Sequence, residues 1–450
     1  MNKKTLIAIC SILFLLSLEC IGTIPSYSLS TQENIDIRQN KLHSVDTARL
    51  LCAIEKTSSG SIMAGTAAQP ITPDLSTHSP IFIAGFGRNR VATGIHDDLW
   101  SRCCCVQIGN VTTAFVSVDL IGVMYPEYQR ILSNLDETTS IDLVILTSTH
   151  NHEGPDVIGL WGKAIWSGIT WSWYDEALTI ITDTINDAYE NMQPAGIKLA
   201  HTMASNMSRD SRKPIVMEEQ VETIQLVDYD KEPIATMVCY ASHPEILWDE
   251  NTLITADYPH YMYKHIEETV GGTALLITGP IGGLITPKTR NHTFESAKKY
   301  GETIANLSIE SLENTSIIWE TEIRIQTQEL FIPLTNPVFR IASILNILDR
   351  PLYHFRKDVK TSVNVIELGN DADLLQLVTV PGEDFPENWF ELKEKMHAKH
   401  RVHIGLATDE LGYIVRIEDY DPTDYEESMS ASKQLDPLVH QALEKMLTLH

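Results

Sequence analysis

Two histidines separated by one residue follow an apolar run near residue 150. The run is IDLVILTST (141–149), and His150-Asn151-His152 comes directly after it. In an extended backbone, residues i and i+2 point to the same side, so both imidazoles can face one site. This spacing is typical of metal ligands, although paired loop histidines are more often solvated or hydrogen-bonded. The motif alone therefore leaves both interpretations open.

Other potential metal ligands lie near similar apolar runs. His243 closes IATMVCYASH, and Glu383 follows LLQLVTVPG, in which Pro-Gly favours a turn. His96 lies in ATGIHDDLWSR, just before the first long run. Because α/β folds bind ligands at the carboxyl ends of their strands, we expect these groups to converge. Imidazole and carboxylate ligands together favour a first-row metal, with Zn²⁺ as the default.

The elements that position these residues follow an alternating pattern. Strands are predicted at TTAFVSVDLIGV, IDLVILTST, IATMVCYASH, TALLITG and LLQLVTVPG, and helices at PEYQRILSNLDE, YDEALTIITDTINDAYENM and ADYPHYMYKHIEETVG. Most of the strands are apolar on both faces, which is typical of a sheet covered by helices on both sides. The predicted fold class is therefore α/β, a layered mixed β-sheet core flanked by helices, with the metal site at the strand C-terminal ends. NPVFRIASILNILDRPLYHF (336–355) is predicted as a pair of core helices, with a lid or partner-facing surface as the alternative.

Charge and aromatic content limit the partners. With 34 Lys+Arg against 60 Asp+Glu, the net charge of −26 makes nucleic-acid binding a poor expectation, and any lipid contact should rest on apolar patches. Four tryptophans follow the His-x-His motif and suit either core packing or an apolar wall for an acyl substrate and peripheral membrane contact. They are Trp161, Trp166, Trp171 and Trp173.

The first residues are typical of a targeting segment. Lys3 and Lys4 precede an uncharged apolar run (5–18) that is too short to span a bilayer. We expect a signal peptide over 1–28, an N-terminal arm over 29–60, one domain over 61–450, and a secreted or periplasmic protein. Cys20 raises lipoprotein anchoring as an alternative, but Glu19 is a poor match for the small residue expected before such a cysteine. The cysteines at 103–105 are expected to be buried small apolar residues rather than metal or redox groups.

At this point the sequence resembles the neutral (alkaline, non-lysosomal) ceramidase family. The matching segments span about residues 61 to 432, and their order is more specific than any one of them. They are AGTAAQPITP from Ala64, GFGRNRVATGIHDDLWSR from Gly85, STHNHEGP from Ser148, NMSRDSR from Asn206, SHPEILWDENTLITADYPHY from Ser242, VPGE from Val380 and GYIVRIEDYDPTDYEESMS from Gly412.

The resemblance implies a zinc amidase with four protein ligands. His150 matches the first histidine of the family's T-H-x-H-S-G-P motif, and His243 matches a histidine after a central strand. Glu383 matches the glutamate of a P-x-E motif, and Tyr413 the tyrosine of a G/S-Y-V motif. These four are the expected Zn²⁺ ligands.

The resemblance also implies further polar groups in the active site. His96, His152 and an arginine of SRDSR, Arg209 or Arg212, fall where the family keeps such groups. Glu153 replaces the serine of the T-H-x-H-S-G-P motif, and its carboxylate is a candidate base or a partner for a ligand histidine.

Two departures from the family bear on function. The family carries a serine in an N-x-G-D/N-x-S-P-N loop, whereas TGPIGGLITP has Gly282 at that place. The sequence is also expected to hold the catalytic domain without the C-terminal β-sandwich that many members append. The missing serine affects the expected ceramide specificity more than the metal.

The leading hypothesis is a zinc hydrolase that cleaves the amide of an N-acylated lipid such as ceramide with a metal-activated water. Zinc lowers the pKa of bound water towards ~7, so no serine is required. His152, or alternatively Glu153, would transfer the proton to the leaving amine, while His96 or an arginine would stabilise the oxyanion. Two alternatives are another amide or ester substrate on the same scaffold, and a non-catalytic lipid- or envelope-binding homologue. A metallo-β-lactamase-like hydrolase is disfavoured because the H-x-H-x-D-H continuation is missing.

Overall fold

The structure is a computed structural model that describes residues 54–163, 166–345, 347–369 and 374–448. The predicted signal peptide (1–28), Cys20 and most of the predicted arm (29–60) lie outside the described residues. The first described strand spans Ile54–Pro70 and so extends before the predicted domain start at residue 61. The sheet therefore starts inside the segment that was assigned to the arm, because residues 54–61 pair with a later strand.

The described residues form strands and helices in alternation. The strands are β1 (Ile54–Pro70), β2 (Gly94–Ile95), β3 (Trp100–Ile108), β4 (Val111–Val118), β5 (Leu143–Ser148), β6 (Gln193–Met203), β7 (Ser208–Arg209), β8 (Gln220–Val227), β9 (Pro233–Tyr240), β10 (Leu253–Ile254), β11 (Thr273–Thr278), β12 (Thr286–Pro287), β13 (Glu320–Pro333), β14 (Asp358–Leu368), β15 (Leu375–Thr379), β16 (Glu383–Asp384), β17 (His400–Ile404) and β18 (Tyr413–Ile414). The helices are α1 (Tyr125–Ser133), α2 (Trp171–Glu190), α3 (Tyr258–Val270), α4 (Phe294–Ser311), α5 (Pro337–Ile344), α6 (Pro386–Lys393), α7 (Tyr425–Ser428) and α8 (Leu435–Leu447).

Among the described residues, twelve strands form one mixed sheet. Its main path runs β11-β9-β8-β6-β1-β13-β14-β15-β17, while β3 pairs with β1 and β4, and β4 pairs with β5. The pairs β4–β5, β9–β11 and β15–β17 are parallel, and the other pairs in this sheet are antiparallel. The predicted α/β class with a mixed sheet flanked by helices is confirmed, and each predicted strand and helix segment above overlaps an element of that type.

The two faces of the sheet pack differently from the expectation. One face carries side chains from all twelve strands into a single apolar cluster, so the sheet curls and packs against itself. Helices cover the outer faces: α2 packs over β3 to β5, and α3 with α4 packs over β8, β9 and β11. The apolar faces of the strands predict helices on both sides of the sheet. Instead, the inner face is covered by another part of the same sheet, which excludes water equally well. Cys103 and Cys105 face α2 and Cys104 faces the inner cluster, so the prediction of buried cysteines is confirmed.

Hydrogen bonds join the carboxyl ends of several parallel strands. The Thr278 hydroxyl donates to the carbonyl oxygen of Ser148 over 2.7 Å, which connects β11 to β5. The amide of Gly279 donates to the carbonyl oxygen of Tyr240 over 3.0 Å, and that of Gly405 donates to Thr278 over 2.7 Å. The segments that follow β5, β9, β11 and β17 therefore start side by side, which is the arrangement that the predicted site requires.

The apolar segment 336–355 is not a pair of core helices. It contains one described helix, α5, whose buried residues are Ala342 and Ser343, while Val338 and Ile344 are exposed. Of the residues of this helix, Ala342 and the partly buried Phe339 pack against an apolar core cluster. Because the described residues hold one helix here and not two, the prediction of a core helix pair was wrong. Within the described ranges, no helix is long and apolar enough to cross a membrane.

Candidate metal centre and cavity

Three buried histidines meet where β5 and β9 end. His150 and His152 follow β5, and His243 follows β9. Their ring centroids are separated by 5.0 Å (His150 to His152), 5.1 Å (His150 to His243) and 5.3 Å (His152 to His243). One ring nitrogen from each lies within 4.8 Å of the others. The His-x-His motif and the distant His243 thus form one cluster, as the spacing predicted.

Backbone carbonyls fix the orientation of two of these rings. The Nδ1 atoms of His150 and His243 lie 2.6 Å from the carbonyl oxygens of Ile121 and Ile285, respectively. This leaves both Nε2 atoms facing Glu383: His243 Nε2 is 3.1 Å from Oε2, and His150 Nε2 is 3.5 Å from Oε1. A carbonyl partner on Nδ1 is a common way to fix the tautomer of a histidine that ligates metal through Nε2.

Tyr413 is placed beside Glu383 by a short parallel pair. Strand β16 starts at Glu383 and pairs with β18, so that Glu383 is in register with Tyr413. Burial raises the pKa of the Tyr413 hydroxyl, and the nearby charge of Glu383 raises it further. The structure therefore brings together the four residues predicted as ligands, and their binding of Zn²⁺ stays a prediction.

The backbone around the histidines is constrained. His150 has a φ of 63°, in the left-handed region that costs energy for a residue with a β-carbon. Gly85 has a φ of 96°, and a β-carbon there would lie 2.4 Å from Cγ of His152. Any larger residue at 85 would displace the His152 ring, so glycine at this position is required by close approach.

Glu245 is a site residue that the sequence analysis did not identify. Its carboxylate is buried, lines the same cavity as His152, and lies 3.1 Å from His152 Nδ1. Burial raises its pKa to about 7, against the lowering effects of His243 and Arg209. The signal is present in SHPEILW, where Glu245 follows His243 at i+2.

Glu153 is not among the residues that line the cavity, so the structure does not support its proposed role as a base. Its Oε2 lies 3.3 Å from Arg90 Nη1 and accepts a hydrogen bond of 2.8 Å from Asn251 Nδ2. Arg90 also donates to the carbonyl oxygens of Ala84 and His152. Burial raises the pKa of Glu153 well above its usual value, which the Arg90 charge opposes. The Arg90–Glu153 pair is thus part of the support for the His150–His152 loop, because Arg90 bridges Glu153 and the backbone of His152.

His96 and Arg209 do not line the cavity. The His96 ring stacks on Phe294, with centroids 3.6 Å apart, and its Nδ1 is 2.7 Å from Asp97. Arg209 donates through Nε to the hydroxyl of Thr286 over 3.1 Å, and Thr286 is the cavity residue. The structure therefore does not support direct stabilisation of an oxyanion by His96, and it places Arg209 one residue away from the cavity surface. Arg212 binds Glu427 instead.

The protonation preferences of the three histidines differ. Burial lowers the pKa of His150 to about 3 and lowers that of His152 well below its usual value. Burial also acts to lower the pKa of His243, but hydrogen bonding to Glu383 and the charge of Glu245 outweigh it and raise the value to about 9. Two of the rings therefore favour the neutral form that binds metal.

The chemistry of this donor set fits a zinc ion. It offers imidazole nitrogens, a carboxylate and a phenol oxygen, all from buried residues that lie close to one another. Although His152 Nδ1 is near Glu245, neither of its buried ring nitrogens makes a hydrogen bond of normal geometry with the described residues. Buried nitrogens without partners are costly, so this ring also indicates a ligand, a substrate or water in the cavity.

A mainly apolar cavity of about 280 Å³ adjoins the cluster. Its polar surface includes His150, His152, Glu245, Glu383 and Tyr413. The Trp-rich segment, residues 161–173, contributes one wall of the cavity through Trp161. Trp173 lies in the core, where its indole N–H donates to the carbonyl oxygen of Ile71. Trp166 is 70% exposed. Helix α5 contributes another wall. The main apolar lining residues include Ile121, Met124, Ile158, Trp161, Phe339 and Leu348.

A buried cluster of histidines and a glutamate at strand ends, opening on an apolar cavity, defines an α/β protein with a candidate metal centre. Comparisons with known proteins show what this chain is similar to. Residues 77–281 match the model of the neutral/alkaline non-lysosomal ceramidase family, N-terminal region. The chain is 24% identical over 222 residues to the neutral ceramidase of Mycobacterium tuberculosis (strain ATCC 25618 / H37Rv), covering 44% of this chain and 34% of that protein. The match thus spans about a third of the length of the curated relative.

Two solved structures share the fold. The crystal structure of neutral ceramidase from Pseudomonas aeruginosa superposes with a TM-score of 0.70 at 16% identity, covering 87% of this chain and 74% of that one. A ceramidase complexed with C2 gives a TM-score of 0.68 at 16% identity, with 86% and 75% coverage. The predicted resemblance to the neutral/alkaline ceramidase family is confirmed.

Gly282, which the resemblance predicts at the place of the family serine, packs against the segment that carries Glu383. Its amide donates to the carbonyl oxygen of Asp384 over 2.8 Å. A β-carbon at 282 would lie 2.7 Å from that same oxygen and 2.7 Å from Cδ2 of Phe385. Neither the backbone nor the buried ring can move without shifting Glu383, so this position excludes a side chain.

We predict that Gly282→Ser lowers activity by up to about 100-fold, because a shift of the Glu383 segment misplaces a reacting group. Single-turnover kinetics with an activated amide or ester, with mass spectrometry, should show no covalent adduct. Gly87→Ser is the matched control, since a β-carbon at 87 meets no atom within 4 Å. A burst of leaving group in Gly282→Ser that the parent lacks would show that this loop can hold a nucleophile, and would favour a non-catalytic parent.

Proposed function

We propose that this protein is a zinc-dependent amidohydrolase that cleaves the amide bond of an N-acylated lipid of the ceramide type. The observation that carries the proposal is the convergence of three buried residues, His150, His243 and Glu383, beside an apolar cavity that His150 and Glu383 line. The family resemblance supports an amide-hydrolysing activity, and the apolar lining suits an acyl chain.

The ion would be held by His150, His243, Glu383 and Tyr413. When bound, Zn²⁺ acts as a Lewis acid towards a carbonyl oxygen and provides a water-derived nucleophile near neutral pH. The carbonyls of Ile121 and Ile285 hold the two imidazoles with Nε2 towards Glu383, where the ion would bind. Glu383 bridges the two rings, so its position determines whether all the donors can bind together.

His152 is the proposed proton-transfer group. Its ring lies beside the two ligand histidines, and its buried nitrogens have no normal hydrogen bond to described residues. It can take a proton from the attacking water and give it to the leaving amine. Glu245, whose Oε2 lies 3.1 Å from His152 Nδ1, is close enough for its charge to stabilise the protonated form of the ring. The geometry favours His152 over Glu153, whose Oε2 is bound by Arg90 and Asn251.

A second candidate is the hydrolysis of another amide or of an ester on the same scaffold. It is favoured by the close packing of Gly282 on Asp384 and Phe385, which leaves no side chain where the family carries its serine. The non-catalytic alternative is disfavoured, because all four residues that match the family's ligand positions are present.

We further propose that the protein is exported and that it contacts lipid surfaces through apolar side chains near the cavity. The N-terminal apolar run (5–18) supports export. Lipid contact is supported by two exposed apolar side chains: Trp166 in the Trp-rich segment is 70% exposed, and Val338 in α5 is 62% exposed. Both segments contribute residues to the cavity lining. Tryptophan and aliphatic side chains at such a rim suit insertion at a bilayer interface.

Alanine at either ligand histidine should remove zinc. His150→Ala and His243→Ala should each lose one zinc equivalent per chain and activity, because a site with one of four ligands missing is open to competing water. Zinc content is measured by mass spectrometry of dialysed protein. His265→Ala is the control, since its ring bonds Asn306. Unchanged zinc content in both variants would contradict the assignment.

His152→Ala should instead retain the metal and have a lower catalytic rate.

Glu245→Gln tests the role of the charge on this carboxylate. We expect kcat to fall roughly 10- to 100-fold while KM and zinc content change little, because the ring of His152 loses its acidic partner. Glu250→Gln, at an exposed position, should behave as the parent. Loss of zinc in Glu245→Gln would show instead that this residue supports the ligands, and an unchanged kcat would remove it from the mechanism.

Trp166→Ser should weaken sedimentation with neutral phosphatidylcholine vesicles, since the apolar side chain that inserts is removed. Tyr229→Ser is the matched control: Tyr229 is 69% exposed and packs on Trp319, outside the cavity lining. Equal vesicle binding by the two variants and the parent would exclude this contact, whatever the activity in detergent.

A further inference from the structure

A second cluster of metal-binding side chains lies on the curled sheet. His201 is on β6 and Glu222 is on β8, and the two are directly opposite in the antiparallel register. His400 is the first residue of β17. None of the three lines the cavity described above. The cluster is therefore distinct from the proposed catalytic centre.

The three side chains converge on one point. His400 Nδ1 is 3.0 Å from Glu222 Oε2, and His201 Nδ1 is 3.8 Å from Glu222 Oε1. The two imidazole centroids are 5.5 Å apart. One potential ligand atom from each residue lies within 4.8 Å of the others. Donor atoms around a tetrahedral zinc ion are about 3.3 Å apart, so only a small rotation is needed to close the site.

The three side chains of this cluster differ in their exposure to solvent. Glu222 and His400 are 5% and 4% exposed, whereas the His201 side chain is 48% exposed. The buried pair is held by its surroundings, and His201 can rotate on its solvent side. One side of the cluster is therefore open to solvent, so that an ion can enter and retain water.

The cluster also joins parts of the sheet that are not neighbours. Along the main path, β17 is at one end, and β1, β13, β14 and β15 separate it from β6. The curl of the sheet nevertheless brings β17 against β6 and β8. An ion bound by His201, Glu222 and His400 would connect these strands across the inner packing of the sheet, and so would stabilise the folded state by mass action.

We propose that His201, Glu222 and His400 form a second binding site for a divalent first-row metal, with Zn²⁺ as the preferred ion and water completing the coordination. Two imidazoles and one carboxylate suit this class and not Ca²⁺ or Mg²⁺, which prefer oxygen ligands. The competing explanation is a hydrogen-bonded cluster without metal, because the side-chain amide of Gln220 also donates to Glu222.

Metal counting separates these explanations. Wild-type protein, His201→Ala and Glu222→Gln are loaded with Zn²⁺, dialysed and measured for zinc per chain. The wild type should hold one equivalent more than either variant. His354→Ala is the matched control, because His354 is an exposed histidine whose Nδ1 lies 2.8 Å from one carboxylate, Asp358. It should match the wild type.

A stability readout makes the test independent of the proposed function. Saturating Zn²⁺ should raise the Tm of the wild type by about 4 °C more than that of His201→Ala. Since His201 is half exposed, its variant should fold normally without zinc. Equal zinc content and equal Tm shifts in wild type and His201→Ala would overturn the proposal. Absence of amide hydrolysis would leave this comparison unaffected, because it depends only on the difference between the variants.

Discussion

The candidate site depends on two short contacts between imidazole rings and backbone carbonyl oxygens. His150 and His243 each place Nδ1 at 2.6 Å from a carbonyl, that of Ile121 and that of Ile285. These contacts determine which nitrogen of each ring faces Glu383, and therefore where a cation can lie. Since the carbonyls belong to the main chain, the orientation of the rings is a property of the fold and is insensitive to most side-chain changes.

The fold stabilises an arrangement that is costly in isolation. Burying carboxylates and imidazoles has a large desolvation cost unless each finds a partner. The protein supplies those partners from several strand ends, which hydrogen bonds such as that from Thr278 to Ser148 hold together. The Arg90–Glu153 pair and the absence of a side chain at Gly85 then position the His152 ring. The site thus uses packing, charge pairing and close backbone approach together.

Much of this arrangement was predictable, for reasons that particular residues illustrate. Apolar runs gave β5, β9 and β15, and the residues that follow them, His150, His243 and Glu383, converge as strand-end residues of α/β folds do. What the sequence did not reveal depends on contacts between distant residues: the pairing of Glu153 with Arg90, the stacking of His96 on Phe294 and the approach of Glu245 to His152. The curl of the sheet was also missed, because an apolar strand face does not indicate whether helix or sheet will cover it.

The most direct test of the central claim is an anomalous difference map measured at the zinc edge on crystals of the protein purified without chelator. The account predicts a peak bonded at about 2.0 to 2.2 Å to nitrogen atoms of His150 and His243 and to a carboxylate oxygen of Glu383. A map of zinc-loaded crystals without a peak at this position, with the Nε2 atoms of the two imidazoles still in contact with Glu383, would contradict it.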